Sequence, residues 1–171
     1  MIISSFVVVM VMAILTQTLV YDVYGDVTMP DTRFTYTLTE ITDVFNTLGQ
    51  AGLNSWVWAH MLDFVFPLTY MFAMSFGINL ELRRLPSKWS MSRFLVLFPL
   101  LGGIFDYVEN TLVLTQIAAY PNLSGVVIAT ASAVTMLKWA FLMAGFVIIF
   151  VLIPFVVYYR LSNPESEISL D

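Results

Sequence analysis

Residues 126–159 read VVIATASAVTMLKWAFLMAGFVIIFVLIPFVVYY, and Lys138 is the one charged residue in this stretch. The hydrocarbon core of a bilayer is about 30 Å thick, so a helix needs about 20 apolar residues to cross it. A stretch this long and this apolar predicts a transmembrane helix. Three further stretches meet the same criterion, at about residues 2–20, 56–80 and 94–119. The sequence therefore predicts an all-α integral membrane protein with a bundle of four transmembrane helices.

The composition excludes several classes of protein. Hydrophobic residues make up 59% of the chain and charged residues 11%, whereas a soluble domain carries about 25% charged residues. The net charge of −5 leaves no basic surface for a nucleic acid. With no cysteine and one histidine, the chain lacks the ligands of iron–sulfur clusters and of Cys- or His-rich metal sites. We predict neither a cofactor nor a metal.

The distribution of basic residues predicts the orientation of the bundle. Lys and Arg concentrate in cytoplasmic loops of membrane proteins. The loop at 81–93 holds four basic residues, whereas the long loop at 21–55 holds one among five acids. A signal peptide begins with a positively charged region, and no basic residue precedes the first span here. That span is therefore predicted to be retained as a transmembrane helix. Residues 1–161 then form one membrane domain with both termini cytoplasmic and a cytoplasmic tail at 162–171, in a cell or organelle membrane.

The long outer loop contains a predicted short amphipathic helix. Thr37 and Glu40 have the spacing of a capping box, in which each side chain accepts a hydrogen bond from the other residue's backbone N–H. Gly49 is the residue type that most often ends a helix. The apolar residues between these signals fall at helical intervals: Leu38, Ile41, Phe45 and Leu48. We expect this helix to lie on the membrane surface or to cover the outer end of the bundle.

Polar and ionisable residues interrupt three of the predicted spans. Such groups cost several kcal/mol in hydrocarbon unless they are paired or hydrated, so they mark candidate sites. His60, Asp63 and Tyr70 are predicted to share one face of the second span. Pro67 is expected to bend this span. Asp106, Glu109 and Asn110 are predicted to share one face of the third span. The candidate ligand-binding residues are His60, Asp63, Tyr70, Asp106, Glu109, Asn110 and Lys138.

The predicted depths bring the carboxylates together. Counting residues from the cytoplasmic ends places Asp63, Asp106 and Glu109 within roughly 6 Å of one another in depth, and the glycines at 102–103 would admit a close helix neighbour. Three carboxylates beside Lys138 do not all stay ionised cheaply in a dry site, so at least one is expected to be protonated. The three are candidates for acid–base catalysis. The alternative is a purely structural role in interhelical hydrogen bonds.

Three segments resemble a group of four-helix membrane proteins of uncharacterised function: LDFVFPLTY at 62–70, FDYVEN at 105–110 and Thr-x-x-Lys at 135–138. The predicted architecture is also similar to the EXPERA group of sterol isomerase-like and sigma-2-receptor-like proteins. Members with four spans have a cytoplasmic N terminus, a long first outer loop and an acid shortly before a proline in the second helix, here Asp63 and Pro67. This resemblance implies a sterol-like or other lipophilic ligand held by buried acids. The chain departs from the enzymes of that group in having four predicted spans and no match to their catalytic residues.

Three functional hypotheses follow. In the first, a buried polar pocket binds a lipophilic small molecule or acts on it by proton transfer, with Lys138 as counter-ion. In the second, the protein is a structural or accessory subunit of a larger membrane complex. In the third, it is a proton- or ion-coupled transporter that functions as a homo-oligomer, because one four-helix bundle rarely encloses a pathway. The hypotheses leave open whether the protein is an enzyme.

Overall fold

A computed structural model describes Val27 and residues 29–163 of the chain. The predicted first span at 2–20 and most of the predicted tail at 162–171 lie outside the described residues. Every regular element of the described part is helical. The α-helices are α1 (Leu38–Asp63), α2 (Val65–Arg83), α3 (Leu97–Ala119) and α4 (Gly125–Ser162), and 3₁₀ helices cover Pro30–Thr32 and Ser87–Val96.

Three helical stretches of the described part are long and apolar enough to cross a membrane. They are Leu38–Arg83, which contains α1 and α2, Ser92–Ala119 and Gly125–Ser162. Their outer surfaces are strongly apolar: Phe150 is 75% exposed and Trp58 is 74% exposed, as expected for side chains that face lipid. The prediction of an all-α chain with long apolar helices is thus confirmed. The fourth span and the orientation stay predictions.

The predicted capping box starts α1. Thr37 Oγ1 accepts a hydrogen bond from the Glu40 backbone N–H at 3.3 Å, and Glu40 Oε2 accepts one from the Thr37 N–H at 2.8 Å. Hydrogen bonds from the Thr37 hydroxyl and N–H also hold the pKa of Glu40 below its usual value. Gly49 has a φ of 59°, a conformation that favours glycine. It separates an outer amphipathic part of α1 from the part that enters the bundle.

The outer amphipathic part of α1 covers one end of the bundle. Ile41 and Phe45 are 2% and 0% exposed, and they belong to one apolar cluster with Ile117 of α3 and Ile128 of α4. Of the two predicted positions for this helix, the structure has the one in which it covers the bundle.

The predicted second span at 56–80 is interrupted at one residue, Phe64, whose backbone stays in the α-helical region with φ −64° and ψ −21°. α1 ends at Asp63, and α2 begins two residues later. Pro67 explains the break because it has no N–H and its ring crowds the carbonyl of the residue four positions earlier, which is Asp63. The Phe64 carbonyl at the break accepts a hydrogen bond from the Tyr107 hydroxyl at 2.5 Å. A side chain of α3 thus supplies a donor at the break, as backbone groups in hydrocarbon require.

α3 packs closely against both α2 and α4. A Cβ atom on Gly102 would lie 3.0 Å from Leu142 of α4, and one on Gly103 would lie 2.5 Å from Met71 Sδ of α2. The close approach predicted for these glycines is confirmed. It brings the next turn of α3, which carries Asp106, within side-chain reach of both neighbouring helices.

Candidate functional site

A buried ion cluster joins α3 to α4. Asp106 and Glu109 lie one helical turn apart on the face of α3 that meets α4. Lys138 Nζ lies 2.5 Å from Glu109 Oε2 and 3.4 Å from Asp106 Oδ1. Glu109 is 0% exposed, and the other two residues are 5% exposed. The lysine therefore bridges two carboxylates inside the bundle.

Tyr70 extends this cluster to α2. Its hydroxyl donates a hydrogen bond of 2.7 Å to Asp106 Oδ2, the carboxylate oxygen that does not face Lys138. Tyr70 is 8% exposed. Each oxygen of Asp106 thus has its own partner, one from α2 and one from α4, and the carboxylate holds the three helices together.

Hydroxyl groups extend the cluster in the other direction. Thr135 lies one turn before Lys138, and its Oγ1 is 2.5 Å from Glu109 Oε1 and 3.3 Å from Tyr36 Oη. Tyr36 is 4% exposed, and its backbone N–H donates to Ser132 Oγ at 3.0 Å. The extended segment before α1 is therefore tied to α4. A continuous hydrogen-bonded chain runs from Tyr36 through the ion cluster to Tyr70.

The charge balance of the cluster favours a bound proton. Asp106, Glu109 and Lys138 carry a formal charge of −1 when all three are ionised. An uncompensated charge in a dry protein interior is costly, so a group there is neutralised by a proton or by a partner. One proton on either carboxylate makes the trio neutral. The cluster can therefore hold, and pass on, one proton.

The remaining candidates lie on α1 and on the C-terminal half of α3. Asn110 Nδ2 donates a hydrogen bond of 2.9 Å to Asp63 Oδ2. His60 is 3% exposed, and its ring lies edge-on to Trp56 with centroids 5.7 Å apart. The interruption at Phe64 assigns His60 and Asp63 to α1 and Tyr70 to α2. The common helix face predicted for these three residues stays a prediction.

Sequence reasoning missed two residues of the network. Thr135 carried a signal, since it precedes Lys138 by one turn and so shares its face. Tyr36 carried none, because it lies in an extended segment outside the predicted spans, and its partner, Thr135, is 99 residues away in the chain.

An apolar groove runs along the outside of the bundle between α2 and α4. Its volume is about 470 Å³, within the range of about 300–1,000 Å³ that is usual for ligand sites. Of the seven candidate residues, Tyr70 lines it. A Cβ atom added to Gly77 would meet nothing within 4 Å, so the groove is open beside that residue. The lining residues are Tyr70, Ala73, Met74, Gly77, Ile78, Glu81, Phe146, Ile149, Phe150, Leu152 and Ile153.

The two ends of the groove are its polar parts. At one end is Tyr70, whose hydroxyl is held by Asp106. At the other end Glu81 Oε1 lies 2.7 Å from Arg84 Nη1. The groove therefore connects the ion cluster with the basic loop that follows α2.

No group of three or more potential metal ligands occurs among the residues that the structure describes. No family model, no curated protein and no solved structure matches the chain.

Proposed function

We propose that the protein binds a lipophilic small molecule within the membrane, in the groove between α2 and α4. One observation carries the proposal: Tyr70 is both a wall of the groove and a hydrogen-bonded member of the buried ion cluster. The groove supplies apolar surface for the body of the ligand. Tyr70 supplies the polar group that fixes its orientation, as the few polar residues of ligand sites usually do.

The chemistry of Tyr70 suits this role. Its hydroxyl proton is engaged by Asp106, so the phenolic oxygen can accept a hydrogen bond from a ligand. Asp106, Glu109 and Lys138 form a store for one proton behind it. Acid–base action on the ligand would need two linked proton transfers: Tyr70 would give its hydroxyl proton to the ligand and take a proton from the carboxyl group of Asp106, which Glu109 and Lys138 adjoin. The resemblance to EXPERA proteins supports a lipophilic ligand as well.

We also propose the membrane topology that the basic residues predict, with four spans and both termini cytoplasmic. In support, α2 ends with Arg83 and α4 ends near Arg160, and Leu82 and Val156 pack in one cluster at this end of the bundle. Since the chain has no cysteine, single cysteines introduced at Ser87 and at Asn122 test the topology by labelling from each side with an impermeant thiol reagent. Labelling of both cysteines from the same side would contradict it.

The ligand proposal is tested by native mass spectrometry of the protein extracted from its own membrane. The matched variants are Gly77→Phe, which fills the groove, and Gly77→Ala, which adds one methyl group in open space. We expect a stoichiometric lipophilic adduct on the wild type and on Gly77→Ala. We expect the adduct to be lost in Gly77→Phe and weakened in Tyr70→Phe.

Two further results decide between chemistry and structure. Glu109→Gln is expected to alter binding or turnover of the adduct while the protein still folds, because Gln keeps the shape of the side chain and changes its charge. A wild-type spectrum free of adducts, or an adduct that persists in Gly77→Phe, would contradict the proposal.

A second candidate is an accessory subunit of a larger membrane complex. The observation that favours it is the close pairing of Lys138 with Glu109 and Asp106, which uses these groups for contacts between helices. The same spectrum tests this alternative, since it would show obligate partner chains and no small-molecule adduct.

A further inference from the structure

The groove has the length of one membrane leaflet. Tyr70 and Glu81 of α2 are eleven positions apart, which corresponds to a rise of about 16 Å at about 1.5 Å per residue. Half of the hydrocarbon thickness of about 30 Å is about 15 Å. Gly77 stands between the two ends, and the space beside it is open. An extended chain lying along α2 would therefore pass from the membrane surface to the middle of the bilayer.

The surface end of the groove carries excess positive charge. Arg84 lies 2.7 Å from Glu81, so the glutamate charge is balanced. The side chain of Arg84 is 41% exposed, whereas that of Glu81 is 18% exposed. Arg83 adds a second guanidinium in the last turn of α2. An anionic group that arrives from the membrane surface meets accessible arginine there and a glutamate that is already paired.

We infer that the groove binds a single-chain amphiphile with an anionic headgroup, of the chemical type of a long-chain fatty acid. The headgroup contacts Arg84, the chain lies along Gly77, and the deep end of the chain packs against the ring of Tyr70. A ligand of this class that also carries a hydroxyl group at its deep end can donate a hydrogen bond to the Tyr70 oxygen. This inference rests on the proposed function and names its ligand class. A neutral lipophile gains nothing from Arg84, and a short chain anchored there does not reach Tyr70.

The test compares three probes on the purified full-length protein in nanodiscs of uncharged lipid. Palmitate has the predicted charge and length, cetyl alcohol has the length without the charge, and octanoate has the charge without the length. We expect palmitate to bind at least about tenfold more tightly than either of the other two, a difference of about 1.4 kcal/mol. Gly77→Phe should abolish palmitate binding, and Gly77→Ala should preserve it.

Variants of the Glu81–Arg84 ion pair, at the surface end of the groove, should change palmitate affinity in opposite directions. Arg84→Gln removes the partner of the headgroup and should weaken palmitate binding about fivefold, with cetyl alcohol unchanged. Glu81→Gln removes the competing carboxylate and should strengthen palmitate binding. A purely structural role for the pair would move both variants in the same direction. The control is Arg33→Gln, since Arg33 also pairs with a glutamate, at 3.1 Å, but lies in the segment before α1.

The possible failures are distinct. If cetyl alcohol binds as tightly as palmitate and Gly77→Phe blocks both, the groove is a ligand site and the anionic class is wrong. If Gly77→Phe affects neither probe nor any native adduct, the proposed function fails as well. If a cysteine at Gly77 crosslinks quantitatively to a cysteine placed within residues 2–20, that segment of the chain occupies the groove and the inference is overturned.

Discussion

The contacts of α4 with α3 and with α2 differ in packing: the first are tightly packed, and the second leave an unfilled groove. Toward α3, Lys138 lies within 3.4 Å of both carboxylates, and Glu109 is 0% exposed. Toward the second half of α2, apolar side chains and Gly77 leave a groove of about 470 Å³. Buried charges are stable only with close partners. Apolar side chains that face lipid need none, because lipid chains are equally apolar.

The tightly packed contacts hold the helices in place, and the groove provides unfilled apolar space. The ion cluster fixes the relative positions of α2, α3 and α4, and the residues that the structure describes leave the groove unfilled. Tyr70 is the residue common to both, through its ring in the groove wall and its hydroxyl on Asp106. Under the proposed function, a ligand in the groove would contact the cluster through Tyr70 and its one hydrogen bond to Asp106.

The largest expected effect comes from removing the shared cation. Lys138→Met leaves Asp106 and Glu109 buried without their ammonium partner, which should lower the free energy of unfolding by about 3–5 kcal/mol. Denaturant unfolding in mixed micelles measures this change. Lys138→Met combined with Glu109→Gln should recover part of the loss, because one buried charge is removed. Equal stability of wild type and Lys138→Met would contradict the ion cluster as the main link between α3 and α4.

Gly103, which packs against α2, should tolerate substitution by alanine much less well than Gly77, which lines the groove. Gly103→Ala places a Cβ atom 2.5 Å from Met71 Sδ and 3.0 Å from Met71 Cβ, so the Met71 side chain or the two helices must shift. We expect a loss of about 2 kcal/mol in the free energy of unfolding. The combination with Met71→Ala should reduce that loss, and the double-mutant cycle measures the coupling. Additive effects would place the two residues out of contact.

Local sequence patterns predicted the helices, the helix cap at the start of α1 and the close helix contacts at the glycines of α3. The apolar run from α4, the capping box at Thr37 and Glu40, and the close approach at Gly102 and Gly103 each depend on residues near one another in sequence. The convergence of Asp106, Glu109 and Lys138 also followed from helix periodicity and from the cost of leaving these groups without partners.

The remaining features depend on which helix faces oppose one another, and periodicity carries no such information. Thr135 Oγ1 also lies 2.9 Å from the Ala131 carbonyl of α4, within the reach that hydroxyls in helices commonly have to the preceding turn, so its residue type did not distinguish it. Pro67 predicted a bend in the second span, but the hydrogen bond that the Phe64 carbonyl accepts from the Tyr107 hydroxyl depends on the neighbouring helix α3. The groove is an absence of atoms between two apolar surfaces, and no residue pattern marks it.

A smaller effect is expected where the two regions meet. Tyr70→Phe keeps the aromatic ring in the groove and removes the hydrogen bond to Asp106. A hydrogen bond to a charged group contributes about 1.5 kcal/mol to stability, so unfolding should become easier by about that amount. The same variant should also weaken ligand binding. A change in stability without any change in binding would confine Tyr70 to the structural side of the comparison.

The smallest expected effect is a gain, not a loss, in the free energy of unfolding. Gly77→Ala adds a methyl group where nothing lies within 4 Å, and alanine favours a helix over glycine by about 1 kcal/mol. We therefore expect a gain of about 1 kcal/mol or less in the free energy of unfolding, measured in the same micelles as Gly103→Ala. The two substitutions are chemically identical, so opposite signs would show that one side of α2 is packed and the other is open. A loss of stability in both variants would mean that another part of the chain or a tightly held molecule fills the groove.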